Sequence, residues 1–373
     1  MPKIVVLGAG RVGAVIAADL CAHASKVTLA DSNPATLALA KARCGGKARI
    51  RRADLSNPRT VRALAESHDL VVGALPSKLG FQALRAVLEA GRSCVDISFM
   101  PEDARELDGL AREHGATALV DFGVAPGMSH LLAAEGVRRL GGADSVRILV
   151  GGVPLEPKPP FRFKAAFAPA DVIEEYTRPA RLVEGGRVVE RPALSRVEDV
   201  ELPGVGHMEG GLTDGLRSLV KTLAVPDMVE LTLRWPGHYD LMRAFQAAGL
   251  FSSEPLDAGG VRVRPIDVAR ALLVPAWTYA EGEQDLTVMR VEVHNKGRSA
   301  VWDLVDRYDA ATSTSSMART TAFPCAIAAR LLADGQLRAP GVHPPEDLAA
   351  MPGVVEHLLA EHARRGVVYE SRG

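Results

Sequence analysis

The chain has 373 residues, with 44 Lys plus Arg against 45 Asp plus Glu and a formal net charge of −1. That length allows two domains and a large core, and no block of like charge marks a surface for nucleic acid or for an acidic membrane. The cysteines Cys21, Cys44, Cys94 and Cys325 lie far apart with no C-x-x-C spacing. They read as reduced core residues of a cytoplasmic protein, without zinc or disulfides.

The chain opens with KIVVLGAGRVGAVIAADL, Lys3 to Leu20. Arg11 and Asp19 interrupt what a membrane span or signal segment would need as an apolar run. A short strand, then Gly8, Gly10 and Gly13 in G-x-G-x-x-G spacing, then a small-residue helix is instead the opening of a Rossmann domain. Gly8 serves the sharp turn, Gly10 leaves room for phosphate, and Gly13 lets the helix pack close to the strand. Arg11 and Val12, in the first turn of the helix, join the expected cofactor contacts. The next strand, KVTLAD, ends in Asp31, 23 positions after Gly8, near the spacing of about 20 for the acid that binds the adenosine ribose. A carboxylate there repels the 2′-phosphate of NADP, and Ser32 and Asn33 follow where an NADP site wants Arg. NAD is therefore the expected cofactor, with NADP kept open by Arg51 and Arg52. Asp31 also suits a helix cap before SNPATLALAKARC.

Strands and helices go on alternating through KARIRRADL, DLVVGALP, SCVDIS and TALVDFG. Six strands up to Gly123 predict a doubly wound parallel sheet whose ligand crevice lies at the carboxyl ends of the strands. Asp54 and Leu55, the turn Ala74, Leu75 and Pro76, and Asp96, Ser98 and Asp121 fall at those ends. Pro126, Gly127 and Met128 then open the helix MSHLLAAEG, whose N-terminus either receives a substrate carboxylate or cofactor amide or is a plain helix start. Beyond residue 140, alternating runs such as MVELTLRW and DLTVMRVEVHN predict an α+β domain on an antiparallel sheet, with a hairpin loop at Asn295, Lys296 and Gly297. SSMARTTAFPCAIAARLLADG reads as a long helix that Gly335 ends and Pro324 kinks or splits. The expected division is 1–125 (dinucleotide binding), 126–315 (substrate and dimerisation) and 316–373 (a helical return onto the first domain).

GALPSKLGFQALRAVLEAGRSCVDIS, VDFGVAPGMSHLLA, LVGGVPLEPKPPFRF, MEGGLTDGLRSL, SMARTTAFPCAIAARLL and GVHPPED together resemble the saccharopine dehydrogenase-like oxidoreductases, in order along nearly the whole chain. DFGVAPGM and the VGGVP and PPE segments are most similar to lysine 6-dehydrogenase. TDGLRSL departs from the TSGG-like stretch expected there and resembles other branches. The resemblance implies an NAD-dependent enzyme that oxidises the CH–NH2 group of a basic amino acid, L-lysine first, as a homodimer or larger assembly. A saccharopine- or carboxynorspermidine-type enzyme acting on CH–NH, and a non-catalytic dinucleotide-binding module, are the alternatives.

Oxidising an amine by hydride transfer requires that an ammonium, of ordinary pKa about 10.4, first lose a proton. Asp96, Asp121, Glu209 and Asp214 are the candidates for proton handling and ammonium binding, Glu209 in the glycine-rich GHMEGG, read as a loop. Arg217 and Arg319 are the candidates for a substrate carboxylate. His207 is a lesser catalytic candidate.

Overall fold

The computed structural model describes residues 1–373 except 24–25, 166–168 and 281, and leaves the side chains of 169–171 undescribed. In chain order the elements are β1 (Lys3–Leu7), α1 (Arg11–Ala22), β2 (Lys26–Asp31), α2 (Pro34–Arg43), β3 (Arg49–Arg52), α3 (Pro58–Glu66), β4 (Leu70–Gly73), α4 (Ser77–Glu89), β5 (Ser93–Asp96), α5 (Asp108–Glu113), β6 (Thr117–Leu119) and α6 (Met128–Leu140). There follow β7 (Ser145–Pro154), α7 (Pro169–Glu175), β8 (Ala180–Glu184), β9 (Arg187–Arg191), β10 (Val197–Leu202), β11 (Gly206–Leu212), α8 (Leu219–Thr222), β12 (Asp227–Arg234), α9 (His238–Ala247), β13 (Leu256–Ala258), β14 (Val261–Val263) and α10 (Pro265–Trp277). The last are β15 (Asp285–Asn295), β16 (Arg298–Arg307), α11 (Ser316–Ala333), β17 (Gly341–His343), α12 (Val354–Arg364) and β18 (Tyr369–Arg372).

Two compact units form, one from Met1–Glu135 with Ala318–Val367, the other from Gly136–Met317 with Val368–Gly373. The chain passes from one unit to the other within α6, within α11 and after Val367. The final six residues leave the helical return: β18 pairs with β16 in the second unit.

The first unit holds a seven-stranded sheet in the order β17-β6-β5-β4-β1-β2-β3, with all its pairings parallel. β1 and β4 are central and read as buried apolar runs, Ile4, Val5 and Val6 being fully buried, as parallel strands covered on both faces must. β3, RIRR, is the exposed edge. Asn33 and Asn57 cap α2 and α3 ahead of Pro34 and Pro58, Asn33 Oδ1 accepting from Ala35 N at 2.9 Å, so chain direction is set where each helix starts. The six expected strands are joined by β17, which comes from the C-terminal segment and pairs with β6. Three residues before PPED carry no strand periodicity, so the sequence predicts only a helical return where the structure has this strand.

The second unit holds a nine-stranded sheet whose main path runs β10-β11-β12-β7-β15-β16-β18. It is mixed, because β12 and β7 are parallel while their other partners are antiparallel. Lys296 and Gly297, with φ of 49° and 79°, turn β15 into β16, the left-handed pair that a two-residue hairpin loop needs. Phe163, Tyr176, Tyr239, Phe251 and Trp277 form the aromatic core of this unit. α11 runs through Pro324 as one helix. Among the described residues no helix is long and apolar enough to cross a membrane.

Candidate active site

The glycine turn of the first unit is shaped by close backbone approaches. Gly8 has φ +98° and donates its N–H to Ala30 O at 2.9 Å. A Cβ at Gly8 would lie 2.3 Å from Ala74 O, and one at Gly13 would lie 2.1 Å from Gly8 O. At Gly10, by contrast, a Cβ would meet nothing within 4 Å. Gly10 caps α1 without a side-chain hydrogen bond, and the first turn, which includes exposed Arg11 and half-buried Val12, holds no acid. The turn therefore presents open backbone N–H groups and a helix dipole to an anion, as a pyrophosphate requires.

Asp31 ties this turn to the end of β2. Its Oδ2 accepts from Ala9 N at 2.8 Å and its Oδ1 from Asn33 N at 2.9 Å. A carboxylate has about four acceptor sites, so two backbone bonds leave capacity for ribose hydroxyls. The helix cap is Asn33 and not Asp31, so Asp31 serves the turn that precedes α2, and its remaining acceptor capacity is what a ribose-binding role would use. Asp54 instead serves its own turn: its Oδ1 accepts from Ser56 N at 3.0 Å and Ser56 Oγ at 2.6 Å, bonds that lower its pKa. Leu55 is a core residue, 8 % exposed.

Three strand ends come together beside the turn. Ala74 N donates to Leu7 O, Ile97 N to Gly73 O and Phe122 N to Asp96 O, at 2.9, 3.0 and 3.1 Å, which keeps the chain in register just past β1, β4 and β5. Leu75 N donates to Ser98 Oγ at 3.3 Å, and Ser98 N to Asp96 Oδ1 at 2.6 Å. Pro76 caps α4. The Asp96 carboxyl lies over Gly73, where a Cβ would be 1.7 Å from Oδ2. That glycine is a requirement the sequence pattern did not single out. Burial pushes the Asp96 carboxyl up to about 7, opposed by the Ser98 hydrogen bonds and assisted by the charge of Asp121. Asp121 is half-buried with φ +55°. Asp96, Ser98, Asp121 and the Ala74–Pro76 turn are thus brought together.

Other candidates are placed differently. Gly127, with φ +136°, packs against Gly123, and Met128 N and Ser129 N donate to Gly123 O and Val124 O. Those bonds occupy the N–H groups expected to receive a carboxylate, and the Met128 side chain is 1 % exposed. Arg319, 8 % exposed, donates to Arg365 O at 2.7 Å and lies 5.9 Å from the Phe323 ring centroid.

In the second unit, Glu209 lies on strand β11, paired with Asp199 and Arg234, and not on a loop. The two neighbouring ladders make a strand of a stretch whose glycines predict a loop. Its Oε1 accepts from Gly237 N at 3.0 Å. His207, on the same strand, is exposed and 3.3 Å from Asp199. Asp214 is held by Arg181 in a bidentate pair at 2.8 and 3.0 Å, and Arg217 has φ +47°. Sequence reasoning missed a buried polar cluster here. Glu230 on β12 is bonded by Thr213, and burial pushes it up to about 8. Arg234 pairs with Glu175 at 2.5 Å, and Tyr176 OH is 2.8 Å from His238 Nε2, an imidazole that burial and the Arg234 charge lower to about 3. The available signal was an acid at a central position of the otherwise apolar run MVELTL.

Over 84% of its length the chain is 24% identical to the mitochondrial alpha-aminoadipic semialdehyde synthase of Mus musculus, of which the match spans 41%; the chain thus covers about two fifths of that longer relative. It is 22% identical to the saccharopine dehydrogenase (NADP(+), L-glutamate-forming) of Schizosaccharomyces pombe, over 83% of this chain and 86% of that one. The apo saccharopine dehydrogenase (L-Glu forming) of Saccharomyces cerevisiae has the same fold, with TM-score 0.82 and 18% identity, covering 100% of this chain and 99% of that one. Residues 4–119 match the saccharopine dehydrogenase NADP binding domain and residues 123–367 the saccharopine dehydrogenase C-terminal domain, and the chain belongs to the saccharopine dehydrogenase family.

Proposed function

We propose that the chain is an NAD-dependent dehydrogenase that oxidises the CH–NH2 group of a basic amino acid, with the ε-carbon of L-lysine the preferred position. The observation that carries this reading is Asp96, a buried carboxyl at the end of β5 with a pKa raised to about 7, beside a glycine turn open to a dinucleotide. The α1 N–H groups would hold the pyrophosphate and Asp31 the adenosine ribose. Ser32 and Asn33, which follow Asp31, offer no cation to a 2′-phosphate. The nicotinamide, when bound, supplies the hydride acceptor.

The chain's own contribution is proton handling. Moving a proton from an ammonium of pKa about 10.4 to an ordinary aspartate is uphill by about 6.5 units, or about 9 kcal/mol. With the Asp96 carboxyl at about 7 the gap narrows to about 3.4 units, or about 5 kcal/mol. Asp96 ionised accepts that proton, and the amine lone pair then drives hydride from its carbon. The substrate becomes an iminium, which takes up water and releases ammonium to give the aldehyde, 2-aminoadipate 6-semialdehyde from lysine. Ser98 holds the carboxylate in place, and Asp121 raises its basicity. We further infer a homodimer or larger assembly in the cytoplasm.

A second reading, oxidation of a secondary amine of the saccharopine type with NADP, is favoured by the name of the matched dinucleotide domain and by the NADP(+) relative. Absorbance of the reduced nicotinamide at mildly alkaline pH, with L-lysine or saccharopine and NAD or NADP in turn, separates the two. Reduction with lysine and NAD supports the first, and reduction only with saccharopine supports the second. Cofactor binding without turnover of either refutes both and leaves a dinucleotide-binding module.

A further inference from the structure

Of the ten large apolar side chains that stand exposed among the described residues, four fall within residues 256–272: Leu256, Val261, Val268 and Leu272. They belong to the β13–β14 hairpin and to α10, which follows it directly after Arg264. The hairpin is a two-stranded sheet on its own. Its register pairs Leu256 with Val263 and Ala258 with Val261, and between them Asp257 with Arg262. Alternation therefore puts four apolar residues on one face and both charges on the other. Val263 is half-buried and the other five residues are exposed. A lone hairpin is marginal in water, and an uncovered apolar face on one marks a surface made for contact.

α10 is apolar on two sides. Ile266, Ala269, Leu273 and Trp277 are buried in the aromatic core of the second unit. Val268, Ala271, Leu272, Pro275 and Ala276 form a second stripe, at the spacing i, i+3, i+4, i+7 and i+8, and all five are exposed, Leu272 at 68 %. A helix that is apolar all round is one that becomes covered all round, and among the described residues nothing covers this stripe.

The charges select the occupant. Residues 271–280 carry none. The charges lie at the start of the helix, where Asp267 holds both cations, Arg264 Nε and Nη2 at 2.6 and 2.8 Å and Arg270 Nη1 at 3.7 Å. A second copy of α10 laid antiparallel sets its uncharged last turns against that charged start, and its C-terminal dipole beside Arg264 and Arg270 is favourable. A parallel copy would set each Arg against its own twin. Antiparallel packing of identical helices is what a twofold axis generates. That axis falls at Leu272, the middle of the stripe, and Ala271 and Ala276 are small enough to let the helices approach.

We propose that the apolar face of the β13–β14 hairpin and the outer stripe of α10 are the surface through which two copies of this chain associate, α10 against α10 about a twofold axis at Leu272. The proposal gives a surface to the assembly inferred above and rests on that assembly, but not on the catalytic reading.

The test is sedimentation equilibrium of the full chain at micromolar concentration, with two variants at the axis. The unsubstituted protein should have the mass of two chains or more, and Leu272→Lys half that mass with unchanged far-UV circular dichroism, since an exposed side chain leaves the core intact when replaced. In Leu272→Cys, mild oxidation should link two chains through a disulfide that dithiothreitol reverses, because the axis brings the two introduced thiols within bonding reach; the four native cysteines are free and buried and do not compete. If the unsubstituted chain sediments as a monomer, the surface and the assembly both fail. If it assembles but Leu272→Lys keeps the assembled mass, or Leu272→Cys gives no linked pair, the assembly stands and this surface fails. Binding of a monomeric chain to phosphatidylcholine vesicles, lost in Leu272→Lys, assigns the patch to a lipid surface and overturns the proposal.

Discussion

Asp96→Asn separates the catalytic claim from the structural one, because the two properties should move in opposite directions. The carboxyl is 4 % exposed, and burial is the largest influence raising it from 3.8 to about 7. A shift of about three units corresponds to about 4 kcal/mol. Since the folded value lies above the unfolded one, the native chain binds more protons than the unfolded chain between about pH 4 and pH 7. Stability from this group therefore declines as pH rises through that window, and the whole penalty applies above about pH 7. Asn carries no charge, and its amide oxygen can still accept from Ser98 N. The variant should match the unsubstituted chain near pH 4 and exceed it by up to about 4 kcal/mol at about pH 8, while turnover falls about 10²–10⁴-fold. Urea unfolding of both proteins across that pH range, with nicotinamide reduction measured alongside, reads both effects. If the stability difference does not change with pH, or if Asn is the less stable at about pH 8, the carboxylate is not desolvated and its proposed role as base loses its physical support.

Gly13→Ala sets a Cβ 2.1 Å from Gly8 O, a backbone atom that cannot rotate away, so it should cost about 1–3 kcal/mol and abolish dinucleotide binding. Gly10→Ala meets no atom within 4 Å and should leave the thermal midpoint nearly unchanged while weakening cofactor affinity in a fluorescence titration. For cofactor choice, Asp31→Ser combined with Ser32→Arg should shift the ratio of kcat/KM for NAD over NADP by at least about tenfold towards NADP, about 1.4 kcal/mol; no shift would remove Asp31 from the ribose site. Glu230→Gln relieves a buried carboxyl raised from 4.5 to about 8. It should add up to about 5 kcal/mol above about pH 8 and nothing near pH 4, as read by unfolding at the two pH values.

The dinucleotide unit was legible because its constraints are local. A strand, three glycines at fixed spacing and an acid at the next strand end each have one physical task, and the close approaches at Gly8 and Gly13 are the reason those residues stand there. Asp96 and Asp121 were also within reach, since parallel topology sends strand ends to one crevice. What remained out of reach depends on partners distant in sequence. β17 is a strand only because β6 offers it an edge, β11 is held by ladders on both sides despite its glycines, and Asp214 is taken by Arg181. Glu230 shows the limit of periodicity: an acid inside an apolar strand can be noticed, but its Thr213 partner lies on a segment whose approach the pattern does not encode.

The most direct test of the central claim is a deuterium label on the carbon bearing the ε-nitrogen of L-lysine, followed into the nicotinamide. The account predicts that reduced NAD isolated from the reaction carries the deuterium and that the rate of its formation falls on labelling. Reduced cofactor without deuterium, or no reduction of NAD by lysine at all, would contradict it.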